Sequence, residues 1–154
     1  MSGAESGAKA RNLLRQAKRA SFATLLDGAP YASLVLVAED EDGSPILLLS
    51  DLAEHAKNLK RDPRASLLID GTAGSADALA GPRVTLLGSM ERVSDQRLKA
   101  RFLARHPEAA VYAGFGDFAC YRMKLARAHL VEGFGRIEWI APEDFLSPAP
   151  AKGA

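Results

Sequence analysis

The sequence predicts a mainly β protein, an antiparallel barrel with flanking helices. Short β-rich runs such as "SFATLL", "YASLVLVA" and "PILLLS" are divided by "DGAP" and "EDEDGSP". The Asp, Gly and Pro of these dividers supply the backbone angles of tight turns. A strand–helix–strand pattern occurs only once, so short strands with local turns favour a closed antiparallel barrel over a two-layer α/β sheet.

Length and composition indicate one domain. The chain has 154 residues, of which 47% are hydrophobic, enough for a real core. We expect the domain to span residues 9–146. Residues 1–8 and 147–154 are small, polar or proline-bearing, so we expect flexible tails there.

The charge balance argues against two classes of binding partner. Twenty basic residues against 19 acidic ones leave a net charge of +1, which argues against nucleic acid and anionic membranes. We therefore expect a small molecule or another protein. A single cysteine, Cys120, and the absence of an apolar run or signal-peptide pattern lead us to expect a cytoplasmic protein. The histidines show no metal-ligand spacing, so we expect no metal site.

Two helices flank the predicted strands. Apolar residues at helical spacing over 10–17 predict an amphipathic helix. A second helix is predicted over 95–105, with Ser94 as its N-cap and with Leu98 and Phe102 facing inward.

The stretch "LLLSDLAEHAKNLKRDPRASLLID" predicts a strand, a short polar helix and a second strand. Asp51 and Glu54 have the spacing of a capping box, so we expect the helix to begin near Leu52. Its inward stripe is predicted to contain Leu52, His55, Ala56 and Leu59.

The start of this helix is a candidate phosphate site, because a helix N-terminus offers free backbone N–H groups. Ser50 adds a hydroxyl, and His55 and Asn58 complete the pocket; the alternative is a hydrogen-bonded core histidine. Arg83 opens a strand, either as an anion ligand or as a solvated residue. Trp139 either stacks on a planar ligand or plugs the barrel.

Several dispersed motifs carry a family resemblance. "ASLVLVAEDEDGSPILLLSDLAEHAKNLKRDPRASLLID", followed by "GPRVTLLGSMERV", resembles the FMN-binding split barrels related to pyridoxamine 5′-phosphate oxidase. The runs at 47–68, 81–88, 104–122 and 133–136 are similar to the haem-utilisation branch of that family, whose additional C-terminal domain we expect this chain to lack. The likeness covers about residues 10–145.

The resemblance implies a six-stranded antiparallel split barrel of the FMN-binding type, with Greek-key-like connections. It also implies a homodimer with FMN in the dimer cleft. The resemblance places Ser33, Leu34 and Val35 near the flavin ring or ribityl chain. It places Ser50, His55 and Asn58 near the phosphate. It places Arg83, Arg136 and Trp139 elsewhere along the cofactor or the cleft.

The chain departs from the oxidase at the phosphate clamp. The oxidase has an arginine and a lysine where this chain has Ser33 and Ala38, and an S-R-K run where it has residues 53–55. Charge-assisted hydrogen bonds are the stronger kind, so we expect weaker FMN binding.

Three hypotheses follow. The first is an FMN-dependent oxidoreductase that passes electrons between a reduced nicotinamide and a small-molecule substrate, with no assigned catalytic side chain. The second is a haem-binding protein without flavin, in which His55 or His129 ligates the iron. The third is a non-enzymatic split-barrel dimer that acts as a binding module.

Overall fold

The computed structural model describes residues 2–147, which form eight strands and five helices. In chain order they are α1 (Gly3–Gln16), β1 (Arg19–Leu26), β2 (Ala29–Leu36), β3 (Ala38–Glu39), β4 (Pro45–Ser50), α2 (Glu54–Arg61), β5 (Arg64–Asp70), β6 (Arg83–Val93), α3 (Gln96–Arg105), α4 (Ala110–Ala113), β7 (Phe118–Val131), β8 (Ile137–Ile140) and α5 (Pro142–Phe145). None of these helices is long and apolar enough to cross a membrane.

The strands form one antiparallel sheet with the order β2-β1-β5-β6-β7-β4-β3, and β8 pairs with β7. The predicted mainly β fold with flanking helices is confirmed. The predicted count of six strands is wrong, because the two-residue β3 and the short β8 add to the sheet. The sheet curls into a half-barrel rather than a closed barrel.

A β-bulge bends the two longest strands. The register of β6 and β7 shifts between Leu87 and Gly88, which leaves Ala126 without a register partner on β6. A Cβ atom at Gly88 would lie 2.2 Å from the carbonyl oxygen of Lys124. Glycine therefore permits the close approach of the two backbones.

The two faces of the sheet carry separate cores. The inner face buries Phe22, Leu67 and Leu86 together with residues of α1 and α5. Part of the outer face is covered by α3, whose Leu98 and Phe102 pack on β4, so their predicted inward orientation is confirmed. The outer face over β2, β1, β5, β6, the C-terminal half of β7 and β8 lies outside this second core. We call this region the open outer face.

Helix α1 starts earlier than expected. We expected a flexible tail over residues 1–8, but the helix begins at Gly3, and the side chain of Ser2 accepts a hydrogen bond from the N–H of Glu5. Ser6 and Gly7 are buried, and Gly7 packs against the backbone of Asp144. Apart from Ser147, the predicted C-terminal tail lies outside the described residues.

The predicted capping box at α2 is wrong. The helix begins at Glu54, and its N-cap, Ala53, makes no side-chain capping bond. A turn precedes the helix, in which the N–H of Leu52 donates to Ser50 Oγ at 3.1 Å. The Asp51 carboxylate instead pairs with Arg92, 41 residues away in sequence, at 3.1 Å. Leu52 lies outside the helix and is 75% exposed, so it is not on the inward stripe.

The N-cap of α3 is Asp95 rather than Ser94. The Asp95 carboxylate accepts a hydrogen bond from the N–H of Arg97 at 2.9 Å. Aspartate and serine are about equally favourable at this position, so residue preference alone does not separate Ser94 from Asp95.

Candidate functional site

A row of side chains crosses the open outer face. Successive register partners from six strands are Leu34, Ser21, Leu68, Thr85, His129 and Trp139. Register partners share one face of a sheet, so these six side chains point outward together. Three large apolar side chains of the row, Leu34, Leu68 and Trp139, are 71%, 41% and 55% exposed. We call this set the outer row; exposed apolar surface of this kind marks an interaction site.

An aromatic and cationic cluster ends the outer row. The ring centroids of His129 and Trp139 are 4.3 Å apart, with the ring planes tilted by 35°. The guanidinium carbon of Arg127 lies 4.1 Å from the centroid of the Trp139 ring, which is a cation–π contact. The cluster therefore presents a flat aromatic surface, an imidazole and a positive charge side by side.

A shallow groove of about 440 Å³ adjoins this cluster, with Arg127 common to both. Its apolar lining includes Leu87 and the bulge residue Ala126, and its cationic side chains are Arg64, Lys124 and Arg127. Arg64 is bound to Asp62 at 2.6 Å, and hydrogen bonds from Arg64 lower the pKa of Asp62 to about 2. Within residues 2–147, Lys124 and Arg127 have no ion-pair partner. The groove is therefore suited to an apolar ligand with negative groups.

His55 lies on the inner face, at the corner where α2 packs on β1. Its Nδ1 is 2.9 Å from the hydroxyl oxygen of Ser33, and its ring meets the Phe22 ring edge-on at 5.9 Å between centroids. Burial lowers the pKa of His55, so its imidazole is neutral at pH 7. The structure thus joins two predicted site residues, Ser33 and His55.

The other predicted phosphate ligands have separate partners. Ser50 donates its hydroxyl hydrogen to the Asp117 carboxylate at 2.7 Å, which brings negative charge to the predicted phosphate site. Asn58 is fully buried and donates from Nδ2 to Thr24 Oγ1 at 3.0 Å.

The remaining predicted site residues lie in four different places. Arg83 donates from Nη1 to the carbonyl oxygens of Leu79 and Gly81, at 2.7 and 3.2 Å, and so holds the loop before β6. Val35 is buried in the inner core, and Arg136 is exposed in the turn between β7 and β8. Leu34 and Trp139 belong to the outer row.

Sequence reasoning missed the three cations of the groove, which are Arg64, Lys124 and Arg127. A signal existed for Arg127, because it lies two residues before His129 and alternate residues of a strand share a face. No such signal existed for Lys124, because the bulge at Ala126 interrupts the alternation.

The family model described as the CREG β-barrel matches residues 2–147. The chloroplastic non-canonical heme oxygenase HOZ of Arabidopsis thaliana is 38% identical over 116 residues, which are 73% of this chain and 35% of that protein. The chain therefore spans about a third of this relative.

Two solved structures share the fold over 94% of this chain. A heme binding protein from Mycobacterium smegmatis is 34% identical, with a TM-score of 0.85 and 60% of its length covered. A protein of unknown function from Agrobacterium tumefaciens is 30% identical, with a TM-score of 0.80 and 61% of its length covered. Since the family model extends over nearly the whole chain, the protein belongs to the CREG β-barrel family.

Proposed function

We propose that this chain binds haem on the open outer face, with His129 as the iron ligand. The observation that carries the proposal is the cluster of His129, Trp139 and Arg127 beside the apolar groove. No other part of the described chain combines a flat exposed aromatic ring, an imidazole and cations next to an apolar surface.

The residues present fit the chemistry of haem. Haem is a flat apolar ring with two carboxylate groups and an iron that accepts an imidazole nitrogen. Trp139 offers a flat stacking surface, and Lys124 and Arg127 are suited to pair with carboxylates. His106, by contrast, is buried and its Nε2 lies 2.8 Å from the carbonyl oxygen of Val37, so it is not a candidate ligand.

The comparisons support haem rather than flavin. The Arabidopsis relative is named a heme oxygenase, and the Mycobacterium structure is titled a heme binding protein. This chain covers 35% of the first protein and 60% of the second. The proposal is therefore haem binding, without the oxygenase reaction; the finer assignment to the haem-utilisation branch stays a prediction.

The homodimer is part of the proposal. The groove is open to solvent on one side, whereas ligand sites normally enclose most of the ligand surface. A second copy packed on the outer row would cover Leu34 and Leu68 and would enclose the ligand between two equivalent faces.

Light scattering at micromolar protein concentration tests this arrangement. The wild-type chain is expected to be a dimer, and Leu68→Glu is expected to be a monomer because it buries a charge in the interface. Leu52→Glu is the matched control, because Leu52 is also exposed but lies at the α2 turn. A monomeric wild-type protein contradicts the dimer.

A second candidate is the FMN-dependent oxidoreductase. The observation in its favour is the hydrogen bond between Ser33 and His55, two residues that the resemblance implies are FMN contacts. The carboxylates of Asp51 and Asp117 at this corner oppose a phosphate group. We therefore rank FMN second.

Absorbance titrations separate the candidates. Haemin is expected to bind at micromolar concentration with a shifted Soret band near about 400 nm, whereas FMN, read at about 450 nm, is expected to bind weakly or not at all. Tight FMN binding without haemin binding would establish the second candidate. Binding of neither cofactor would leave a non-enzymatic binding module.

A further inference from the structure

We propose that a pocket between α1 and α3 binds a small phosphate ligand that carries a hydroxyl donor. The pocket has a volume of about 310 Å³ and lies on the α3 side of the chain, apart from the proposed haem site. Its charged lining is Arg15 from α1, Glu39 from β3, and Arg101 and Arg105 from α3. Three guanidinium groups against one carboxylate make it a cationic pocket.

Two of the arginines are fixed in place by backbone carbonyl groups. Arg101 donates from Nε to the carbonyl oxygen of Glu39 at 3.0 Å, and Arg105 donates from Nη2 to that of Ala17 at 2.6 Å. The other N–H groups of both side chains donate no hydrogen bond to the residues described here. Arginines held in this way lose little freedom on binding, and their planar forks match the oxygens of a phosphate.

The nearest buried acid does not cancel this charge. Asp40 Oδ1 lies 3.9 Å from Arg101 Nε, but Arg97 binds the Asp40 carboxylate through two hydrogen bonds, at 2.7 and 3.2 Å. Arg97 therefore neutralises Asp40. The positive charge of Arg101 is therefore not compensated by Asp40 and acts on a ligand in the pocket.

Glu39 selects the kind of oxyanion. Its Oε1 accepts a hydrogen bond from Arg15 Nε at 3.0 Å, whereas its Oε2 is buried without a donor in residues 2–147. Oε2 is shielded from solvent, but a carboxylate oxygen accepts more than one hydrogen bond, so Oε1, which accepts only from Arg15 among the described residues, has unused acceptor capacity. A ligand hydroxyl can donate to it, while a fully deprotonated oxyanion would bring like charges together. Inorganic phosphate keeps a hydroxyl at pH 7, a sugar phosphate carries several, and sulfate has none.

Isothermal titration calorimetry at pH 7 and constant ionic strength tests the pocket, with sodium phosphate, glucose 6-phosphate and sodium sulfate as probes. Phosphate is expected to bind, and sulfate to bind at least about tenfold more weakly. Tighter binding of glucose 6-phosphate than of phosphate identifies a monoester as the natural ligand class. Equal binding shows that the pocket recognises the phosphate group alone.

Variants locate the binding. Arg101→Gln and Arg105→Gln should each weaken phosphate binding about tenfold or more, while Arg61→Gln on α2 makes the same charge change elsewhere and should leave it unchanged. Glu39→Gln, whose amide can donate, should bring the sulfate affinity close to that of phosphate. Thermal unfolding confirms that each variant is folded; if Arg105→Gln is not, Arg101→Gln decides.

Three results would overturn the proposal. They are no phosphate binding by the wild-type protein, unchanged phosphate affinity in Arg101→Gln, and equal affinity of the wild-type protein for sulfate and phosphate. None of these readouts depends on haem, so the outcome is independent of the proposed function.

Discussion

The imidazole of His129 lies 4.3 Å from the indole of Trp139, measured between ring centroids, on neighbouring strands of a hairpin. The two residues are register partners on β7 and β8, so the strand ladder holds the rings together. The guanidinium carbon of Arg127, two residues before His129, lies 4.1 Å from the centroid of the Trp139 ring. A potential iron ligand and a flat stacking surface thus belong to one rigid element.

Removing the indole tests its part in ligand binding. Trp139→Ala is expected to weaken haemin binding about tenfold, because stacking on an aromatic ring and the charge that Arg127 places there contribute about 1–2 kcal/mol. The measurement is a Soret titration. Phe115→Ala serves as the control, because Phe115 is 57% exposed but lies near α4. Equal haemin affinity in wild type and Trp139→Ala would show that the indole is not part of the haem site.

The close packing of α1 on α5 predicts that a single methyl group added at their contact destabilises the fold. A Cβ atom at Gly7 would lie 1.8 Å from the carbonyl oxygen of Asp144, so Gly7→Ala must separate the two helices. We expect a loss of about 1–3 kcal/mol in the free energy of unfolding, measured by denaturant titration. Gly114→Ala is the control, because a Cβ there meets nothing within 4 Å. An unchanged midpoint for Gly7→Ala would contradict the packing of α1.

The ionised carboxylate of Asp40 is expected to stabilise the fold, and this part of the folding stability is lost at acidic pH. Burial alone raises the pKa of Asp40, but hydrogen bonds from Arg97 and the N–H of Glu41 and the charges of Arg97 and Arg101 outweigh burial and lower it. A carboxyl group with a lowered folded-state pKa stabilises the fold above its unfolded pKa of about 3.9, and this stability is lost as the pH falls through the folded-state pKa.

Asp40→Asn is therefore expected to lose about 1–3 kcal/mol at pH 7, a modest cost because Arg97 is half exposed. The difference from wild type should be smaller at about pH 3 than at pH 7, because the stability that Asp40 contributes is lost progressively below its unfolded pKa of about 3.9. Denaturant titrations at both pH values measure it. Asp27→Asn, at an exposed carboxylate, should show neither effect. A constant difference between the two pH values would argue against the ion pair as its source.

Much of the fold was predictable, because its determinants are local. Turn residues and strand alternation specified the antiparallel sheet, and helical spacing placed Leu98 and Phe102 on the buried side of α3. The errors came from long-range contacts. Asp51 fits a capping box in sequence, but Arg92 from a distant strand takes its carboxylate. The start of α1 depends on α5, which packs on Gly7 from the far end of the chain.

The candidate site was only partly predictable. Leu34 and Trp139 were expected at the cofactor, but their common face with Leu68 follows from the register of six strands, which no local pattern fixes. The bulge at Ala126 also decides which cations reach the groove. The resemblance placed Ser33 near the flavin ring or ribityl chain and His55 near the phosphate, and a hydrogen bond joins the two side chains. Their contact with a cofactor stays a prediction.

Haemin titration of His129→Ala beside His55→Ala tests the central claim most directly. If His129 ligates the iron on the open outer face, His129→Ala shifts the Soret band and weakens haemin binding by about tenfold or more, while His55→Ala keeps the wild-type spectrum and affinity. An unchanged spectrum in His129→Ala, with the loss of binding in His55→Ala instead, would place the ligand at the α2 corner and contradict the account.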